Sequence, residues 1–322
     1  MTDASVERAR QAVTRLDITE TAAGQRIDNF LMTLLKGVPR SRIYRLVRKG
    51  EVRVNDKRVR PEYRLCAGDR LRLPPVRAAA QPAQLRVSQA LRDDLAGRVL
   101  ASGVGWMVLD KPSGIAVHGG SGLALGIIEA VRLIWPGGRL DLVHRLDRDT
   151  SGCLLIASSR GALVALQAQL RAGGMDKRYL VLVKGRWPRE LREVNAPLRK
   201  NALSSGERVV RADVAGKAAI THFRVERYFP GHTLLEARLG TGRTHQIRVH
   251  CQLMGHPVAG DAKYGDAEAN RALRRLGLKR LFLHAEGLTF DAPEGKRIRC
   301  RAPLSDDLEA LLGRLVAASG RE

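Results

Sequence analysis

The chain has 322 residues and a formal charge of +23, from 56 Lys and Arg against 33 Asp and Glu. That length suffices for one large domain and a small one, the apolar fraction of 44% is ordinary for a chain with a core, and the charge points to a polyanionic partner, nucleic acid before an acidic membrane surface. The four cysteines, Cys66, Cys153, Cys251 and Cys300, form no CxxC pair, which argues against a zinc ribbon or disulfide framework. It fits a reducing cytoplasm, and no apolar run approaches membrane-span length or marks a secretory signal in MTDASVERARQAVTRLD.

Residues 1–23 read as a flexible tail. In RIDNFLMTLL, Ile27, Phe30, Leu31, Leu34 and Leu35 recur at helical spacing. A second helix follows, with Ser41 as N-cap, Ile43, Leu46 and Val47 as its apolar stripe, and Gly50 as its stop. Val52 and Val54 alternate into a short strand, Asn55-Asp56 make a turn, and AGDRLRLP is another strand with Leu71 and Leu73 inward. Residues 24–75 thus form a small domain of two helices and a sheet. Arg42, Arg45 and Lys49 recur on the helix face opposite the stripe, and Arg40, Arg48, Arg53, Lys57, Arg58 and Arg60 thicken the patch. Like charges so spaced repel unless an anion neutralises them, so Arg40, Arg42, Arg45, Arg48, Lys49, Lys57 and Arg58 are nucleic-acid-binding candidates.

Residues 76–98, rich in Ala and Gln, read as a linker, in part helical. The second domain spans 99–316, before a tail at 317–322. WMVLDKPSG is a strand running into a Lys-Pro turn. The glycine loop VHGGSG lacks the order of a phosphate-binding P-loop. Ser158 or Ser159 caps a helix bearing Leu163, Leu166 and Leu170. KRYLVLVKG is a strand with Tyr179, Val181 and Val183 on one face and Leu180 and Leu182 on the other. LLEARLGTGRTHQIRVHCQLMGHP reads as strand, a turn at Gly240 and Gly242, then a helix. Thr244 caps that helix, Ile247, Cys251 and Met254 form its buried stripe, and Gly255 and Pro257 end it. FLHAEGLTF is a late strand. With no internal repeat, the domain is α+β.

HRLDRDTSG, residues 144–152, sets Asp147 and Asp149 among Arg145 and Arg148. Asp149 suits the cap of the turn DTSG. For Asp147, spacing leaves cap and catalyst equally open; a carboxylate beside guanidinium can serve as a nucleophile or base but is a poor acid. His245, His250 and His256 lie near Cys251, yet the five-residue step from 245 to 250 splays two rings apart on a helix, and no metal is expected. His245 is placed near the helix start, where phosphate would approach. No GxSxG elbow supports a Ser-His-Asp triad. Aromatics are only 4% of residues, so Tyr179, beside Lys177 and Arg178, is either a stack for one extracted base or a half-buried strand tyrosine.

Taken in order, DKPSGIAVHGGSG, HRLDRDTSG, KRYLVLVKG and GRTHQIRVHCQLMGHPVAGDAKYG resemble the RluA-type RNA pseudouridine synthases. GQRIDNFLMTLLKGVPRSRIYRLVRKGEVRVNDKRV is similar to the S4-type (αL) RNA-binding domain of some members, the ribosomal large-subunit ones above all. The resemblance implies an α+β fold with a mixed, mainly antiparallel central sheet behind that small domain, and isomerisation of several uridines in 23S ribosomal RNA by base flipping. It implies Asp147 as the catalytic carboxylate, Tyr179 stacked on the uracil, Arg248 paired with the aspartate and Arg145 holding the extruded nucleotide. His144, Arg243 and His245 join Arg145 in contacting RNA. The isomerisation oxidises and adds nothing, so no cofactor is implied. The partner is 23S rRNA or a large-subunit assembly intermediate, and with no apolar seam the chain is expected to be a cytoplasmic monomer. Asp110, where the family usually has Asn, and Cys153, where an aliphatic residue is usual, depart from the pattern outside the catalytic set. The rival readings are a non-catalytic rRNA-binding assembly factor and an RNA N-glycosidase.

Overall fold

A computed structural model describes residues 13–35, 38–76, 87–119, 125–202 and 208–319. The chain divides into two units, Met1–Leu85 and Arg86–Glu322.

The first unit comprises β1 (Thr14–Asp17), α1 (Ile27–Leu34), α2 (Arg40–Lys49), β2 (Arg53–Val54), β3 (Lys57–Arg58) and β4 (Arg70–Leu73). The antiparallel sheet runs β1-β4-β2-β3. Ile27 and Leu31 of α1 and Ile43 and Val47 of α2 share one core with Leu71 and Leu73. Asn55 and Asp56, with φ of 48° and 60°, make the two-residue hairpin turn from β2 to β3. Two expectations are corrected. The tail assigned to 1–23 contains β1, paired along β4, with Ile18 buried behind it; Leu16 and Ile18 alternate too briefly to announce a strand without that partner. Ser41 does not cap α2, because the Pro39 carbonyl already accepts from the N–H groups of Arg42 and Ile43 and starts the helix two residues earlier. Gly50, at φ 71°, ends α2 as expected.

The second unit comprises α3 (Gln89–Gly97), β5 (Val99–Gly103), β6 (Trp106–Lys111), α4 (Ile127–Ile134), β7 (Asp141–Leu142), β8 (Ser151–Ala157), α5 (Arg160–Arg171) and β9 (Asp176–Lys184). It continues with β10 (Glu193–Asn195), β11 (Leu198–Ala202), β12 (Arg208–Ala212), β13 (Ile220–Phe229), β14 (His232–Leu239), α6 (Gln246–Leu253), α7 (Ala267–Arg275), β15 (Leu283–Asp291), β16 (Arg297–Arg301) and α8 (Asp306–Ser319). The main sheet runs β10-β13-β14-β9-β15-β8-β6-β5, with β16 on β15 and β7 on β8. The β8–β15 pair is parallel and the others are antiparallel, so the sheet is mixed and mainly antiparallel. β11 and β12 form a separate hairpin.

β9 lies near the middle. Tyr179, Val181 and Val183 enter the core holding Ile127, Val131, Ile247 and Cys251, while Leu182 faces Phe282, Leu308 and Leu311. Ser159 caps α5 by accepting from the Ala162 N–H. The helical part expected within the 76–98 linker is present, but it belongs to the second unit rather than to a linker. Residues 89–97 form α3, capped by Ser88, and Leu95 is buried with the α4 residues Ile127 and Val131; a weakly patterned Ala-rich segment becomes a helix because it has a core to cover. The glycine loop VHGGSG falls partly outside the described residues.

Candidate active site

Both polar loops that open onto the centre of the sheet are held by buried side chains. The first, HRLDRDTSG, leads into β8. His144 Nε2 accepts from the Leu155 N–H at 3.1 Å. Burial and the nearby Lys177 charge push this imidazole down to about 4, so it stays neutral and keeps that lone pair. Lys111 is wholly buried and donates to the carbonyls of Pro112 and Ile115 (2.8 Å each) and of Arg148 (2.9 Å). The Lys-Pro turn thereby clamps the far end of the Asp147 loop. Ser113 adds a 2.7 Å bond to the Asp149 carbonyl. Gly152, at φ 105°, lies so close to β15 that an added Cβ would stand 2.3 Å from the Ala285 carbonyl oxygen. The Asp149 carboxylate meets Arg148 on the surface and does not cap the turn; the turn is closed instead by the Thr150 N–H on the Asp147 carbonyl.

The second loop, GTGRTHQ, joins β14 to α6. Thr244 is not the N-cap. His245 is, in the left-handed conformation at φ 55°. Gln246 makes this possible: its Oε1 accepts from the Thr241 hydroxyl and the Arg243 N–H, and its Nε2 donates to the Ile220 carbonyl at 2.8 Å. A buried amide, rather than a threonine, thus organises the start of the helix.

Between the loops, Asp147 Oδ2 lies 3.3 Å from Arg248 Nη1 and 3.9 Å from His245 Nε2. Arg248, 9% exposed, grips the fully buried Asp261 with two parallel bonds of 2.7 and 2.8 Å. Burial alone would depress the Arg248 pKa, but Asp261 outweighs it and the pKa rises. Burial likewise opposes the charge of Asp261, and Arg248 together with the N–H groups of Lys263 and Tyr264 brings its carboxyl below the usual range. The guanidinium also lies over the Tyr264 ring, 5.0 Å from its centroid. Tyr264 Oη accepts from the Val210 N–H and lies 2.8 Å from His245 Nδ1. Donation of the phenol proton to Nδ1 leaves the His245 proton on Nε2, facing Asp147. Burial lowers the pKa of His245, against the pull of Asp147.

Tyr179, 6% exposed, lies on the cleft floor with Leu283. Burial first, and Asp147 second, raise its hydroxyl pKa, so the phenol stays protonated. The cleft is about 800 Å³. Its lining includes Asp147, Tyr179, Arg248, Arg145, His144, Arg243 and His245, so every candidate from the second domain is brought together there. Arg243 holds its own loop by donating to the Ala218 carbonyl at 3.0 Å. Among the described residues, Asp147 is the one carboxylate on the wall, against Arg145, Arg171, Lys177, Lys200, Arg243 and Arg248. Sequence reasoning missed Asp261 and Tyr264, although both lie in the GDAKYG stretch, and it missed the clamp made by Lys111. The histidine cluster dissolves: His250 bonds Thr221 and the Ala196 carbonyl, and His256 bonds the Lys184 carbonyl. No group able to hold a metal occurs among the described residues.

In the first unit Arg45, Arg48 and Lys49 of α2 and Lys57 and Arg58 of β3 are exposed. Arg42 differs from the expectation: it is half-buried, and its Nε is out of water with no hydrogen-bond partner among the described residues. Arg40 opens α2, and its side chain lies outside the described residues. Among the described residues no helix is long and apolar enough to cross a membrane.

Residues 105–253 match the model of the RNA pseudouridylate synthase family, and residues 25–71 match the S4 domain. A protein of Escherichia coli (strain K12) named ribosomal large subunit pseudouridine synthase C is 53% identical over 304 residues, 92% of this chain and 95% of the relative. Proteins of the same name from Pasteurella multocida (strain Pm70) and Haemophilus influenzae are 51% identical over 95% of this chain (94% of the relative) and 49% identical over 98% (99% of the relative). The structure of human RNA pseudouridylate synthase domain containing 4 superposes with a TM-score of 0.59 at 25% identity, covering 70% of this chain and 96% of that one. With half its residues shared along nearly its full length, the chain belongs to the RNA pseudouridylate synthase family.

Proposed function

We propose that this pseudouridine synthase isomerises uridines of 23S, large-subunit ribosomal RNA, and that Asp147 is the carboxylate that does so. The observation that carries the assignment is the placement of Asp147: the one acid, among the described residues, in a cation-walled cleft, faced by an arginine already held by Asp261. Relatives at about half identity over nearly the whole chain carry the large-subunit name. The reaction breaks N1–C1′, turns the base and joins C5 to C1′, with C5 losing its hydrogen and N1 gaining one. No atom is added and nothing is oxidised, so the chemistry requires no cofactor. As a nucleophile or in removing a proton, the carboxylate must act while RNA phosphates crowd around it, and Arg248 offsets that negative field while fixing the rotamer.

A stacked base cannot reach a cleft floor, so the target nucleotide is extruded. Tyr179 offers the ring on which uracil stacks, and Arg145, exposed at the rim, occupies the RNA side. His245 and Arg243 shape the loop against which the sugar lies, and His144 holds the Asp147 loop to β8. The exposed cations of the S4 unit add affinity through phosphates without reading sequence. On this reading the enzyme is a cytoplasmic monomer that meets rRNA or a large-subunit assembly intermediate.

The test is tritium release from C5-tritiated uridine in unmodified large-subunit rRNA. Wild type releases tritium and Asp147→Asn, still binding RNA, falls by roughly a thousandfold or more. Free uracil in the products would identify an N-glycosidase instead. Binding without release by wild type would leave the assembly-factor reading.

A further inference from the structure

The cations of the cleft are not equivalent. Arg145, Arg171, Lys200 and Arg243 are exposed, so water solvates their charge at little cost. Arg248 is buried but held by two carboxylates. Lys177 is half-buried and, among the described residues, has no carboxylate partner. It sits on β9 two residues before Tyr179, so both side chains leave the same face of the strand and line the same cleft. Its ammonium reaches across to the opposite loop, where it stands 3.9 Å from the position a Cβ on Gly242 would take. An ammonium that is partly shielded from water in a cleft, and has no carboxylate beside it among the described residues, is placed to take an anion from a ligand.

We propose that Lys177 grips the 5′ phosphate of the nucleotide whose base enters the cleft, and so sets how deep that nucleotide sits. The inference rests on the reading of the cleft given above. Two residues along a strand span roughly 7 Å, which matches the reach from a uracil ring on Tyr179 to the phosphate of its own nucleotide. A phosphate, unlike a neutral uracil carbonyl, compensates the charge as well as accepting the hydrogen bonds. Burial depresses the Lys177 pKa, and an arriving anion reverses that shift and keeps the group charged. The S4 cations hold the RNA as a whole; Lys177 acts on one linkage.

The test uses the full chain with a single-stranded decaribonucleotide containing one uridine, its 5′ linkage either a phosphate or a neutral methylphosphonate. The neutral linkage should weaken binding to wild type and to Lys177→Arg about tenfold, and should leave Lys177→Gln unaffected, since that variant has already lost the contact. The salt slope of binding should be shallower by about 0.7 in Lys177→Gln than in wild type. Equal sensitivity of wild type and Lys177→Gln to the neutral linkage, or an unchanged slope, overturns the proposal. Because binding is read without turnover, these outcomes stand even where wild type releases no tritium from rRNA, a result that would count against the proposed function alone. On tritiated rRNA, kcat/KM of Lys177→Gln should fall tenfold or more, with Lys177→Arg retaining most of the wild-type value.

Discussion

Arg248 and Arg45 carry the same guanidinium in opposite surroundings. Arg248 is 9% exposed, bonded twice to Asp261 and once to Asp147. Arg45 projects from α2 into solvent beside Arg48 and Lys49. The buried arginine is a part of the fold that also aims a reacting group, and its partners are set before substrate arrives. The exposed ones contribute little to folding and wait for an anion. A basic protein thus uses arginine in two ways, and burial of the group decides which.

The most damaging break in this comparison is Asp261→Asn. It leaves a buried guanidinium short of its counter-charge, and stability should fall by about 3 kcal/mol, read as a lower urea midpoint. Tritium release should fall at least tenfold, because Arg248 loses the carboxylate that fixes where its Nη1 meets Asp147. A stability within 0.5 kcal/mol of wild type would make Asp261 dispensable to the fold. On the exposed side, replacing Arg45, Arg48 and Lys49 together with Ala should leave the urea midpoint nearly unchanged. It should flatten the salt dependence of rRNA binding by about two units. An unchanged slope would remove α2 from the RNA surface.

The last break concerns His144, which holds the Asp147 loop with a neutral ring. Its folded pKa, about 4, lies below the 6.5 of an ordinary histidine. Between those values the unfolded chain binds a proton that the native one refuses. The contribution is therefore complete above pH 6.5 and lost as pH falls toward 4, and amounts to about 1–3 kcal/mol. In His144→Gln the amide oxygen can still accept from the Leu155 N–H without titrating. Its stability should decline less than that of wild type between pH 7 and pH 4.5, as read by urea unfolding at the two values. Parallel declines would show that another group carries the acid sensitivity.

Much of this was legible from local patterns. The spacing of Ile43, Leu46 and Val47 with Gly50 announced α2, and the pair Ser158 and Ser159 announced the start of α5, with the structure choosing Ser159. The alternation in KRYLVLVKG placed Tyr179 on the same face as Val181 and Val183, and HRLDRDTSG announced a carboxylate among arginines. Where the expectation failed, the deciding partner was distant. β1 exists because β4 offers it an edge, and α3, expected only as a helical part of a linker, joins the second domain because Leu95 finds the core around Ile127 and Val131. Thr244 has the residue type of a cap, yet Gln246 reaches back to the loop and across to Ile220 and takes over.

The sequence by itself determined periodicities, turn chemistry, the sign of the charge and the residue types of the cleft, because each depends on neighbours within a few positions. Only the tertiary structure decided which charges meet. Asp147 and Arg248 are 101 residues apart and come within 3.3 Å because the order of strands in the sheet brings the loop before β8 to the helix after β14. The same sheet hides Lys111 under the Asp147 loop, seals Asp261 behind Arg248 and leaves Lys177 half-buried with no carboxylate partner among the described residues. Burial and pairing are properties of the packed chain, and they separate the arginine that aims a carboxylate from those that wait for RNA.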